Sequence, residues 1–446
     1  MNCYVVSPSA GGPDTESQFL ISIRNEQIVI MGWDTTNRLG QMFADMRVGD
    51  LVIIAKGQNI SKKVYFSGYV SSETIYDKTL KKYKRSLSNF CDIQSLDVPF
   101  GNKCSYMESQ GRGIPAIYRL KEENPADMKV IDIVTKYMAY NIIQTQLSAL
   151  LTANHQIILT GAPGTGKTHL AREVAAKMIG LDNVGDLKNH PNRFNFVQFH
   201  PAYDYTDFVE GLKPVNDGKE ESGKISFRVQ DGIFMRFCKE ARKQGTKPCV
   251  FVIDEINRAD LSRVFGELFY ALEPGYRGEN GAISTQYVLG RNESDRELFY
   301  VPKNVFIIGT MNDVDRSVES IDFALRRRFA WYEIKADEAR FDAVVQPDLA
   351  IKEEAKNRYT SLKDQIKIVD GLGPSYQIGP AYFRKLAEYS QGNDENGSIW
   401  DKFWDRHLKL LLREYLRGRS DEKEQLQKFR NAYDLQPDAD VNREDV

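Results

Sequence analysis

From residue 157 the chain runs Ile157-Ile158-Leu159-Thr160, then Gly161-Ala162-Pro163-Gly164-Thr165-Gly166-Lys167-Thr168, then His169-Leu170-Ala171-Arg172-Glu173-Val174-Ala175-Ala176. An apolar run, a glycine-rich turn and a helix-forming stretch in that order predict strand, loop and helix. The pattern G-x-x-x-x-G-K-T in that setting is a cradle for the phosphates of a nucleoside triphosphate. Glycines let successive backbone N–H groups turn toward the phosphates, and the helix N-terminus adds a favourable dipole. Gly161, Ala162, Pro163, Gly164, Thr165, Gly166, Lys167, Thr168 and His169 are the expected cradle. Lys167 supplies a mobile positive charge, and Thr168 a hydroxyl for Mg²⁺.

A second apolar run, Cys249-Val250-Phe251-Val252-Ile253, ends in Asp254-Glu255. It reads as a buried parallel strand with two carboxylates at its C-terminal end, where open α/β sheets bind their ligands. Asp254 is expected to hold Mg²⁺, and Glu255 to orient and deprotonate the attacking water. A third run, Val305-Phe306-Ile307-Ile308-Gly309-Thr310, leads into Met311-Asn312, which places Asn312 to sense the γ-phosphate or the lytic water. Arg326, Arg327 and Arg328 follow Ile321-Asp322-Phe323-Ala324-Leu325. They are either cations complementing a helix C-terminus or arginine fingers reaching a neighbouring subunit's triphosphate. With the two preceding motifs in place, fingers are the expectation.

The order cradle, Asp254-Glu255-Ile256-Asn257-Arg258-Ala259, Gly309-Thr310-Met311-Asn312 and Ala324-Leu325-Arg326-Arg327-Arg328-Phe329 resembles an AAA+ module, and within that superfamily the McrB branch. The segments from Phe199 to Gly211, Leu272-Glu273-Pro274 with Tyr276-Arg277-Gly278, and Gly373 to Phe383 carry the same resemblance. Met311-Asn312-Asp313-Val314-Asp315-Arg316-Ser317 is similar to the branch's M-N-T-A-D-R-S signature but departs from it at Asp313 and Val314. The resemblance covers roughly residues 130 to 420. It implies GTP as the nucleotide, a hexameric ring, and a separate McrC-type nuclease subunit that docks on it. The residues themselves leave GTP and ATP open, since the Asn-Lys-x-Asp guanine motif of small GTPases is missing. A protein-remodelling ATPase of the MoxR type shares the Asp254–Ala259 segment and is the alternative. A third reading makes the N-terminal part an RNA-binding module and the motor a slow switch.

At 446 residues the chain has room for two or three domains, and its formal net charge of -2 gives no whole-chain pull toward nucleic acid. Five cysteines without paired spacing fit a reducing, cytoplasmic setting, and no apolar run approaches membrane-spanning length. The expected organisation is a small β-barrel-like module over 1–120, a linker over 121–130, an α/β core with a parallel sheet over 131–335, a helical lid over 336–420 and a polar tail over 421–446. Two helices are expected between Val130 and Leu151. There is no P-D…E-x-K nuclease constellation, so any cleavage belongs to a partner.

The N-terminal module, through Gly32-Trp33, Val48-Gly49-Asp50-Leu51-Val52-Ile53 and Phe66-Ser67-Gly68-Tyr69-Val70, is loosely similar to EVE/PUA-type domains. Such domains hold flipped or modified bases, which implies DNA carrying a modified cytosine as ligand. Trp33 is the candidate stacking residue, while Tyr4, Phe66 and Tyr69 are expected to fill the interior. Residues 1–120 carry 14 Lys plus Arg against 11 Asp plus Glu. Lys81, Lys82, Lys84 and Arg85 are candidate phosphate contacts, giving sequence-blind, salt-dependent affinity.

Overall fold

The computed structural model describes residues 1–6, 23–31, 38–56, 61–77, 82–99, 117–216, 225–288, 298–314, 326–336, 341, 345, 351–390 and 398–436. It divides into two compact units, Met1–Ile143 and Gln144–Val446.

The first unit is built on strands β1 (Cys3–Val6), β2 (Ile28–Met31), β3 (Leu51–Lys56), β4 (Ser61–Val70), β5 (Ile75–Asp77), β6 (Lys82–Pro99) and β7 (Ile117–Leu120). They pair in the order β2-β6-β4-β3-β1-β7, with β5 also on β6, and β1 runs parallel to β3. Leu51, Val52, Ile53 and Ile54 are all fully buried, so β3 is covered on both faces rather than alternating. Leu51 and Ile53 pack with Val130, Val134 and Met138 of the helix Pro125–Asn154, whereas Val52 and Ile54 pack with Phe43 of the helix Arg38–Ala44. Among the described residues no pairing joins β2 to β7, and the sheet carries a helix on each face. Tyr4 and Phe66 are core residues, as expected.

Two helices were expected from residue 130, but one helix runs from Pro125 to Asn154. Pro125, which reads as a chain break, sits at the first helical turn, where its missing N–H costs nothing. The Asn124 side chain accepts from Ala126 N at 2.9 Å in the manner of an N-cap. The linker expected over 121–130 is thus largely helix.

In the second unit β8 (Gln156–Thr160), β9 (Phe194–Gln198), β12 (Cys249–Asp254), β13 (Val305–Thr310) and β14 (Ala330–Glu333) form a wholly parallel sheet in the order β14-β8-β13-β12-β9. This is the parallel α/β core expected from the sequence. The antiparallel pair β10 (Glu210–Asn216) and β11 (Ile225–Asp231) lies outside it. One face of the sheet packs an aromatic cluster in which Phe208, Phe234 and Phe237 surround Phe251 of β12. The residues from Phe199 onward therefore serve packing, with Asp204 accepting from Thr206 N to start the short helix Tyr205–Phe208.

A separate helical core follows, gathering Tyr359, Leu362, Phe383, Phe403, Trp404, Leu412, Phe429 and Tyr433. The polar tail expected from residue 421 is not what forms there. Residues Glu422–Tyr433 are a helix, and Phe429 and Tyr433, four apart on one face, are fully buried.

Candidate nucleotide-hydrolysis site

The strands β8, β12 and β13 end side by side at Thr160, Asp254 and Thr310. From β8 the chain enters the glycine-rich turn, and Lys167 opens the helix Lys167–Ile179, which buries Leu170, Ala171, Val174 and Ala175. The Lys167 ammonium donates to Gly161 O and Ala162 O, each at 2.8 Å, and the Thr165 hydroxyl donates to Ala162 O at 3.0 Å. Asp254 Oδ1 accepts from the hydroxyls of Thr168 and Thr310, both at 2.6 Å. Thr168 and Asp254 thus present adjacent oxygens of the hard type that Mg²⁺ takes, and they are the residues that would hold it. Next to them Asn312 Nδ2 donates to Glu255 Oε1 at 2.7 Å, and Arg258 Nε stands 3.4 Å from Glu255 Oε2. Glu255 has φ 52°, a left-handed conformation rare for a side chain of its size. Strain of this kind clusters at functional sites.

Five of the residues singled out in the sequence, Lys167, Thr168, Asp254, Glu255 and Asn312, therefore converge at the C-terminal edge of one sheet. His169 does not join them through its side chain, which turns along the helix to Glu173 at 3.4 Å. Asp313 stands at the cradle. Burial pushes its carboxyl up from the ordinary aspartate range, against the pull of Lys167 and of hydrogen bonds from Gly161 N–H and the Thr160 hydroxyl. Residues 315–325 lie outside the described residues.

Burial lowers the Lys167 ammonium to about 8, although Asp313, Glu255 and Asp254 pull the other way. A triphosphate takes the protonated form. Below about pH 8 the empty site already carries that proton, so affinity is flat. Above it, binding has to take a proton up, and affinity is expected to fall by up to about tenfold per pH unit. Calorimetric titration between about pH 7 and 9.5 in two buffers of different ionisation enthalpy measures both quantities. Constant affinity with no proton uptake across that range would sink this account.

The helical subdomain closes over the loop. Gly379 N donates to Pro163 O at 2.8 Å, and Ala381 N to Gly164 O at 3.0 Å. A Cβ on Gly379 would stand 2.0 Å from the Gly164 carbonyl carbon, and one on Gly164, at φ 76°, would meet the Tyr382 ring at 2.6 Å. Both positions need glycine for this approach. Beside the contact lies a cavity of about 780 Å³, lined by Pro163, Asn312, Tyr376, Tyr382, Tyr415 and Arg417, among others. That is the size and aromatic character of a small-ligand pocket. The three tyrosines and Arg417 were not foreseen as site residues. The segment from Gly373 to Phe383 carries the family resemblance as part of the expected lid, but it does not indicate which side chains face the loop, and Tyr415 and Arg417 lie beyond it.

Arg326, Arg327 and Arg328 lie away from the cradle. β14 pairs in parallel with β8, Ala330 opposite Ile157 and Glu333 opposite Thr160. The three arginines precede Ala330, so they sit at the start of the sheet, and the cradle begins at its end. At roughly 3.3 Å per residue, the four steps of β8 separate the two by about 13 Å along the strand.

In the first unit, Trp33 and Lys81 lie outside the described residues, and Lys82 is placed only as part of β6. Lys84 faces Glu26 at 3.5 Å. Arg85 corrects the expectation. It is 1% exposed and donates to Phe43 O (3.1 Å), Ala44 O (2.7 Å) and Ser72 O (3.2 Å), closing the C-terminus of a helix instead of facing solvent. It is not available to a phosphate.

Residues 156–329 match the AAA domain (dynein-related subfamily). Over 242 residues the chain is 40% identical to the Type IV methyl-directed restriction enzyme EcoKMcrB subunit of Escherichia coli (strain K12), covering 52% of this chain and 48% of that protein. Over 283 residues it is 27% identical to the Type II restriction enzyme BsuMI component YdiS of Bacillus subtilis (strain 168), covering 57% of this chain and 80% of that one. The chain thus spans about half the length of the first relative. Among the described residues, no helix is long and apolar enough to cross a membrane.

Proposed function

We propose that this chain, an AAA+ protein of the McrB type, is the GTP-hydrolysing motor of a cytoplasmic restriction system, reading DNA with a modified cytosine and driving a separate McrC-like nuclease. The observation that carries the hydrolytic part is the convergence of Thr168, Asp254, Glu255 and Asn312 at the edge of the sheet beside Lys167. Lys167 and the loop N–H groups bind the triphosphate, while Thr168 and Asp254 hold Mg²⁺, which supplies charge stabilisation to the transferring phosphoryl group. Glu255, oriented by Asn312, takes the proton of the attacking water. One arginine of the run Arg326–Arg328 from a neighbouring subunit completes the site in a ring, a hexamer by resemblance. That both relatives are components of restriction enzymes supports a place in restriction, and the resemblance to the McrB branch supports GTP and the nuclease partner.

The deciding experiment is hydrolysis of GTP against ATP by the full chain, with and without duplex DNA carrying modified cytosine. Faster turnover of GTP, raised by modified but not plain DNA, is expected. Preference for ATP with indifference to any DNA would move the assignment to protein remodelling.

Reading of the base falls to residues 1–120. On the full chain, Trp33→Ala is expected to remove the preference for modified DNA, since base–aromatic stacking is worth about 1–3 kcal/mol. Neutralising Lys81, Lys82 and Lys84 instead weakens all duplexes alike and flattens the salt dependence. Binding curves at several salt concentrations separate the two effects. Equal, salt-insensitive affinity for modified DNA, plain DNA and RNA counts against a reader in this module.

A further inference from the structure

The arginine run rests on a buried frame. Arg277 is 2% exposed, and its guanidinium donates to Leu272 O at 2.9 Å, Val305 O at 3.0 Å and the side-chain oxygen of Gln156. Gln156 Nε2 donates in turn to Leu272 O at 2.9 Å and to Arg328 O at 2.7 Å. These bonds fix two backbone segments, one leading directly into Glu273 and the other closing the run Arg326–Arg328. Between them lies a cavity of about 430 Å³ bordered by Glu273, Pro274, Arg327, Arg328 and Phe329, among others.

Across that cavity Glu273 Oε1 takes Arg328 Nη2 at 3.1 Å and Arg327 Nη2 at 3.5 Å. The two arginines differ sharply in setting. The Arg328 side chain is 13% exposed and lies over the Phe269 ring, whereas that of Arg327 is 69% exposed. Arg326 stacks near Trp331, whose indole N–H donates to the Arg326 carbonyl at 3.0 Å.

We infer that Glu273 is a positioning residue that neutralises Arg328 as an anchor and presents Arg327 as the one arginine offered to a neighbouring subunit's triphosphate. This rests on the reading that the run acts in trans. One carboxylate shared by two guanidinium groups leaves one positive charge, and the exposed member of the pair carries it. An exposed ion pair is weak, so Arg327 can leave Glu273 for a triphosphate that offers more charge and bidentate oxygens. The shielded pair with Arg328 stays and holds the segment in place.

Nucleotide affinity, kcat and KM of the full-length protein, under conditions where it oligomerises, test the assignment. Arg327→Ala is expected to lower kcat by about 10³-fold or more with nucleotide affinity unchanged, and Arg327→Lys not to restore it, since an ammonium lacks the planar fork. Arg328→Lys, which keeps a cation against Glu273, is expected to retain more of the rate than Arg328→Ala. Glu273→Gln lowers kcat without moving nucleotide affinity, and adding Arg328→Ala to it costs little more, because the two groups act as one unit. Normal hydrolysis by Arg327→Ala, with loss in Arg326→Ala or Arg328→Lys, overturns the assignment and leaves trans action standing. Normal rates in all three alanine variants overturn trans action itself, and fully additive losses at Glu273 and Arg328 overturn the role of Glu273.

Discussion

Replacing Glu255 with glutamine is expected to leave nucleotide bound and to slow turnover by about 10²–10⁴-fold, the range a positioned general base contributes. The geometry separates the two functions. In the proposed site the charge of the triphosphate falls to Lys167 and the loop, and the Lys167 ammonium donates to Gly161 O and Ala162 O, away from Glu255. Glu255 instead faces Asn312, whose amide donates to Oε1 at 2.7 Å and leaves Oε2 near Arg258. Glutamine keeps the volume and one acceptor oxygen but cannot take a proton from water. The expected signature is therefore stoichiometric binding of a fluorescent nucleotide together with near-absent phosphate release. Phosphate release at close to the unmodified rate would show that another group activates the water. Asn312→Ala should lie between the two, because it removes the group that orients Glu255 without removing the base.

What the sequence revealed follows the range over which its signals act. The cradle, the strand before it and the helix after it lie within about 25 consecutive residues, and local patterning suffices for them. Asp254-Glu255 and Asn312 could be placed because each ends an apolar run, and parallel strands bring such ends together. Gln156 and Arg277 are 121 positions apart. Nothing local in either segment announces that one solvates the other. The enclosing tyrosines, contributed by segments more than 200 residues beyond the loop, were hidden for the same reason.

The charged segments misled in a different way. Lys81, Lys82, Lys84 and Arg85 look like one basic surface when read as a run, but in a strand neighbouring side chains point to opposite faces. Lys84 and Arg85 are adjacent in β6 and cannot both face the same way, and Arg85 turns inward to three carbonyls. In the segment after Ser420 the abundance of Lys and Glu hid Phe429 and Tyr433, which repeat at helical spacing and belong to the core. There the periodic apolar positions carried the structure, and composition carried the wrong message. Lys121 to Asp127 shows the converse: a proline within a polar stretch ends some elements and begins others, and here it begins a helix of 30 residues.

Subunits that are each inactive should regain activity when mixed. Lys167→Ala leaves the cradle without its cation, so it neither binds nor hydrolyses nucleotide well, but its arginine run is untouched. Arg327→Ala binds nucleotide but lacks the group offered to its neighbour. Because the run sits at the opposite end of β8 from the cradle, a subunit cannot fold one onto the other without dismantling the parallel pairing of β14 with β8. On the proposed reading, completion therefore comes from a second copy across a head-to-tail interface. In an equal, random mixture about one interface in four joins an intact cradle, from an Arg327→Ala subunit, to an intact arginine, from a Lys167→Ala subunit. Hydrolysis is thus expected to recover to about a quarter of the unmodified rate per subunit, against losses of about 10³-fold or more for each variant alone. Phosphate release from mixtures of varied ratio, with co-assembly confirmed by differentially tagged subunits, measures it. A rate that stays at the sum of the two inactive parents, in rings shown to contain both, would mean that Arg327 does not act between subunits.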